Sequence, residues 1–127
     1  MIYNHLVASH FFEPRNVFDG SDNYKDYIIV NSGTIALGDA IVLYFNCSLE
    51  TKVISQIKFK VYGNPYLVAS VSYWSEKLVG KKIDAVSSLS SQELIDDLEI
   101  TQTKKYCAYM VEDVFNQAVK QWREEND

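Results

Sequence analysis

The chain has 127 residues, 47% of them hydrophobic and 23% charged, which supplies the core of one ordinary domain and is too short for two. Twelve Lys and Arg against seventeen Asp and Glu leave a formal charge of −5, so the surface repels phosphate backbones and argues against nucleic-acid binding without a local basic patch. No apolar run reaches the ~20 residues of a membrane span, no basic stretch leads into an apolar segment at the start, and two cysteines neither staple such a domain nor build a zinc ribbon. The expectation is one cytoplasmic domain over residues 1–127, with no membrane and no nucleic-acid partner.

Tyr3, Leu6, Val7, His10 and Phe11 recur at helical spacing, and Pro14 stops the pattern. A short amphipathic helix is therefore expected, followed by an extended segment from Arg15 to Asn23 that ends in the loop Asp19-Gly20-Ser21-Asp22-Asn23. Three strands follow. Tyr24–Asn31 runs into a turn at Asn31-Ser32-Gly33. Ala40–Ser48 alternates, with Ile41, Leu43, Phe45 and Cys47 on one face, and Val53–Tyr62 alternates likewise. The short link Leu49–Lys52 joins the last two as an antiparallel hairpin, and their polar second face predicts a sheet covered on one side.

The period then changes from 2 to 3.6. Asn64-Pro65 opens a helix striped by Leu67, Val71, Trp74 and Leu78 and closed at Gly80. Ser90 to Glu93 has capping-box spacing ahead of Leu94, Ile95 and Leu98. Val111, Val114, Phe115, Ala118, Val119 and Trp122 mark a long last helix starting near Tyr106 to Ala108, with Arg123–Asp127 as a solvated, fraying end. The order predicts an α+β fold: a small three-stranded antiparallel sheet with helices on one face.

Read together, His10-Phe11-Phe12-Glu13-Pro14-Arg15-Asn16-Val17 resembles the amino-terminal signature of the U-type iron–sulfur cluster scaffolds, the family of IscU, SufU and the NifU N-terminal domain. The resemblance continues through Gly38-Asp39, Lys58–Gly63 and Lys104–Cys107, and implies a SufE/NifU-like arrangement across the chain. Such scaffolds hold a cluster with three cysteines, an Asp and a His. Thiolates are the soft donors that iron–sulfur chemistry needs, while a hard carboxylate keeps the cluster transferable. By resemblance the five positions fall on Leu37, Asp39, Asn64, Tyr106 and Cys107, so only Asp39 and Cys107 are retained. The family's chaperone motif Leu-Pro-Pro-Val-Lys corresponds to Ile100-Thr101-Gln102-Thr103-Lys104, where both prolines are gone.

Two readings stay open. In one, the chain is a divergent scaffold with lost or weakened cluster binding, whose Asp39 and Cys107 bind iron or zinc weakly or whose Cys107 accepts sulfur. In the other it is a cofactor-free interaction or regulatory module for a cysteine desulfurase, another scaffold or a second copy of itself. Cys107 follows Lys104-Lys105 at a helix start, where cations and the helix dipole favour a thiolate; the plainer reading is a small residue with an ordinary thiol. Asp39 is likewise a common turn residue. Cys47 reads as core packing, and His5 and His10 as surface or partly buried side chains. Arg15 and Asn16 look functional by resemblance or else fix the chain's exit from the first helix. Tyr62, Tyr66, Tyr73 and Tyr109 are candidates for a binding surface. No phosphate-binding Gly loop, nucleophile elbow, His-Glu-x-x-His or CxxC is present, and Cys107 has no neighbouring base in sequence, so an enzyme is not expected.

Overall fold

The structure is a computed structural model that describes residues 3–20 and 23–126. Helix α1 (His5–Phe12) starts where the Asn4 side chain accepts the Val7 amide at 2.9 Å. Strands β1 (Ile28–Thr34), β2 (Asp39–Cys47) and β3 (Ile54–Tyr62) form one antiparallel sheet in the order β1-β2-β3. Helices α2 (Pro65–Leu78), α3 (Ser91–Leu98) and α4 (Tyr106–Asn126) follow.

The alternation in β2 sends Ile41, Leu43, Phe45 and Cys47 inward, and β3 adds Ile57 and Phe59 from the neighbouring strand. Against that face lie Leu67, Val71, Trp74 and Leu78 of α2 and Val111, Val114, Phe115, Ala118 and Trp122 of α4, all buried. Trp74 and Phe115 meet edge to face at 5.7 Å, where the two helices lock together. Ser90 caps α3 by accepting the Glu93 amide at 3.2 Å, as its spacing predicts.

Several expectations change. The first strand begins at Ile28, because Tyr24–Tyr27 closes a turn with Tyr27 N–H donating to Tyr24 C=O. It also continues through the expected turn at Asn31-Ser32-Gly33, since each of these residues pairs with β2 (Asn31 with Val42, Ser32 with Ile41, Gly33 with Ala40). The reversal falls instead at Ile35–Leu37, a single 3₁₀ turn closed by left-handed Gly38 at φ 93°. Glycine at 33 is what allows the close pass: at φ 71°, an added Cβ would sit 2.1 Å from the Asp39 carbonyl oxygen.

The outer face of the sheet is not bare either. Residues 16–18 run beside β3, with Phe18 N–H donating to Phe59 C=O at 2.9 Å, and Phe18 stacks on Tyr44 beneath the Lys60 ammonium. The loop expected at Asp19–Asn23 lies partly outside the described residues, at Ser21 and Asp22. His10 is fully buried rather than superficial. The carboxyl-terminal stretch is exposed but helical through Asn126, and Arg123 is paired with Asp84 at 2.7 Å.

Candidate functional site

Three chain segments meet at one end of the sheet. The β1–β2 connector brings Leu37 and Asp39, the β3–α2 junction brings Gly63 and Asn64, and the first turn of α4 brings Tyr106 and Cys107. Asp39, Asn64, Tyr106 and Cys107 are directly linked by side-chain hydrogen bonds. The Tyr106 hydroxyl donates to Asp39 Oδ2 at 3.0 Å. Asn64 Nδ2 lies 3.3 Å from both the Tyr106 hydroxyl oxygen and Cys107 Sγ.

Asn64 does two jobs. Its Oδ1 accepts the amides of Tyr66 and Leu67 at 2.9 and 3.2 Å, the helix cap expected of an Asn before Pro65. That capping fixes the amide's orientation and aims the Nδ2 donor at Cys107. Gly63 makes room for the arrangement, because a Cβ there would come within 2.9 Å of Asp39 Oδ1 and 2.7 Å of Leu67. No signal short of the fold marks Gly33 and Gly63 as supports of Asp39; only the close approaches reveal them.

The electrostatics run against metal ligation. The Cys107 thiol is fully buried, and burial pushes its pKa up. The Asn64 hydrogen bond, the Tyr106 hydroxyl and the Lys104 cation pull the other way without reversing it, while Asp39 adds to the rise. Of the two readings of Cys107, burial favours the ordinary thiol over the thiolate, because desolvation outweighs the cations. Burial, the bond to Asp39 and the charges of Cys107 and Asp39 push the Tyr106 phenol up to about 12, so it stays protonated at neutral pH.

Leu37 is 80% exposed and has no donor atom in its side chain. Among the described residues, no three His, Cys, Asp or Glu side chains converge in a way that would hold a metal ion. A cluster or zinc ion needs about four good donors. The tip offers one buried thiol, one carboxylate already bonded to a phenol, and a capping amide, so its donor set does not fit either group. Apolar surface surrounds it instead: Ile35, Leu37, Tyr62, Tyr106 and Tyr109 are all more than 40% exposed. Of the other candidate tyrosines, Tyr66 is buried, and Tyr73 donates to Asp97 at 2.9 Å away from this end. Cys47 packs in the core, as expected.

The Pro14-Arg15-Asn16-Val17 stretch forms a separate, internally bonded clasp. Ser72 Oγ, fully buried on α2, accepts the Arg15 amide at 2.8 Å and lies 2.7 Å from His10 Nδ1. Ser72 thus bridges the Arg15 amide and the His10 imidazole, whose other nitrogen, Nε2, faces Glu76 at 3.9 Å. Arg15 Nε pairs with Glu76 at 3.2 Å, its guanidinium also bonds Ser9 and the Glu13 carbonyl, and left-handed Asn16 donates to Ser75. Arg15 and Asn16 therefore fix how the chain leaves α1. Ser72 carried no sequence signal, because a serine inside a helix gives no hint of what it will meet.

The family described as NifU-like N terminal domain matches residues 2–127. The mitochondrial iron sulfur cluster assembly protein 1 of Debaryomyces hansenii is 33% identical over 125 residues, spanning 96% of this chain and 68% of the yeast protein. The iron-sulfur cluster assembly scaffold protein IscU of Escherichia coli K12 is 29% identical across 100% of this chain and 98% of its own. A crystal structure of the N-terminal part of a nitrogen-fixing NifU-like protein from Brucella abortus superposes with a TM-score of 0.71 at 10% identity, covering 95% of this chain and 94% of that one. This chain belongs to the NifU-like N-terminal domain family.

Proposed function

We propose that this member of the NifU-like family serves iron–sulfur cluster assembly as a divergent scaffold-like protein that has lost stable cluster binding, and that its single domain presents the tip as an interaction surface. The hydrogen-bonded set Asp39–Tyr106–Asn64–Cys107 carries the reading. The two retained ligand types are engaged with the two residues that replaced ligands. A metal would have to displace the phenol from Asp39 and ionise a thiol whose pKa burial has raised.

Sulfur acceptance at Cys107 meets the same obstacle, because a persulfide forms by attack of a thiolate on an incoming sulfur and Cys107 is both buried and held as the thiol. Weak iron or zinc binding through Asp39 and Cys107 would require the tip to open. The cofactor-free reading gains support from the exposed Ile35, Leu37, Tyr62, Tyr106 and Tyr109. Apolar and aromatic surface of this kind suits a protein partner, and for this family a cysteine desulfurase or another scaffold is the expected class.

Anaerobic reconstitution with iron and sulfide tests the proposal. The wild-type chain is expected to stay colourless after desalting and to carry no stoichiometric zinc when freshly purified. The variant Leu37→Cys/Asn64→Cys/Tyr106→His, which rebuilds the family's donor set on the same frame, is expected to acquire sulfide-to-iron absorption. A wild type that retains the chromophore through gel filtration overturns the loss of binding.

A further inference from the structure

The two edges of the sheet are treated differently. The outer edge of β3 is closed by residues 16–18: Phe18 N–H donates to Phe59 C=O at 2.9 Å, and Phe59 N–H donates to Asn16 C=O at 3.2 Å. The outer edge of β1 has no such cover. Among the described residues, no backbone hydrogen bond reaches Ile28–Thr34 except from β2. Nor does β1 carry the usual protection of an edge, since Ile28-Ile29-Val30-Asn31-Ser32-Gly33-Thr34 contains neither a charge nor a proline. Only left-handed Gly33 interrupts it, leaving Ile28–Ser32 as a regular edge with Ile29 and Asn31 exposed.

We propose that this edge is the seam of a homodimer, in which β1 of a second copy pairs antiparallel with β1 about a two-fold axis passing through the Ile29–Asn31 stretch. The occupant follows from composition. A neutral strand rich in β-branched residues pairs best with another of its kind, and in a chain of charge −5 a strip without carboxylates is where two copies approach with the least repulsion. Symmetry agrees, because an antiparallel two-fold perpendicular to the sheet keeps Ile28 and Val30 of both copies on the inner side. The helices that cover that side in each copy then form one layer beneath a continuous six-stranded sheet.

The dimer has a functional corollary. Each β1 runs toward its own Asp39–Cys107 tip, so antiparallel strands send the two tips to opposite ends of the sheet. The pair is a bivalent presenter and cannot pool Asp39 and Cys107 from two chains into one four-donor site. The seam is independent of the reading given to the tip.

A seam of five residues per copy is small, so association is expected in the micromolar-to-millimolar range. Sedimentation velocity on the full chain from about 10 µM to about 500 µM is the test over that range. Wild type is expected to shift from monomer to dimer with concentration, with slowed hydrogen exchange of the Ile28–Ser32 amides in the same range. Ile29→Lys and Asn31→Lys, each at an exposed position, are expected to remain monomeric with an unchanged thermal midpoint at low concentration. A wild type that is monomeric throughout overturns the proposal. So do lysine variants that dimerise as well as wild type, and dimers whose β1 amides exchange at a rate independent of concentration.

Discussion

The clasp at the start of the chain and the tip of the sheet are both networks of side-chain hydrogen bonds, yet they have fared differently. The clasp keeps its Pro14-Arg15-Asn16-Val17 signature, and its bonds converge on the buried hydroxyl of Ser72. At the tip, the resemblance puts Leu37, Asn64 and Tyr106 at positions where such scaffolds carry ligands and leaves Asp39 and Cys107 as the two retained. The difference separates two kinds of work. The clasp docks α1 onto α2, so a lost bond there strands a buried partner and weakens the fold. The tip sits at the sheet's end, where Asn64 and Tyr106 hydrogen-bond Cys107 and Asp39 within the protein.

The largest expected effect lies where the tip is anchored to the sheet. Gly33→Ala sets a Cβ against the Asp39 carbonyl at a left-handed φ and should cost ~3 kcal/mol or more, measured by urea unfolding. A loss below ~1 kcal/mol would show that β1 and β2 can separate there and that the tip is not rigidly held. In the clasp, Ser72→Ala leaves His10 Nδ1 and the Arg15 amide without their shared partner and should cost about 2 kcal/mol, again by urea unfolding.

Acid sharpens the contrast. Burial, reinforced by the Arg15 cation and opposed by Glu76, holds the folded-state pKa of His10 below its ordinary value of 6.5. The unfolded chain therefore binds this proton more tightly. His10's contribution is complete above pH 6.5 and declines as pH falls through 6.5 toward the lowered folded value. Thermal midpoints recorded from pH 7.5 down to about 5 should fall more steeply for wild type than for His10→Gln. Parallel curves would remove His10 as the acid-sensitive element of the clasp.

The smallest effect belongs to the tip. Tyr106→Phe removes a half-exposed phenol and should cost no more than ~1 kcal/mol. It also removes a hydroxyl whose influence lowers the Cys107 pKa, so the pH midpoint of thiol alkylation should move upward. Unchanged alkylation kinetics would mean that Tyr106 has no part in setting the state of Cys107.

Periodicity alone carried much of the architecture. The alternation of Ile41, Leu43, Phe45 and Cys47, the cap at Asn64-Pro65, the Ser90 cap and the stripe from Val111 to Trp122 each depend on contacts within a few residues, and each appears as expected. The first strand is governed by pairing instead. Asn31-Ser32-Gly33 has turn chemistry, yet pairing with Ala40–Val42 draws it into the sheet, and local preference yields to a ladder assembled across the reversal. The outer face looked bare for a related reason: what covers Tyr44 is Phe18, which comes from a stretch without periodicity.

The candidate site divides in the same way. Residue identity by itself determined that Leu37 cannot ligate, that Asn64 caps a helix, and that two soft or hard donors remain of the five positions. Only the tertiary structure decided the state of those two, because a thiol's ionisation depends on the solvent it loses and on neighbours 43 and 68 positions away in the chain, Asn64 and Asp39. Short-range patterns are written in consecutive residues and can be read there. Burial and long-range partners are created by folding, and at this tip they keep a cysteine that follows two lysines as a buried thiol.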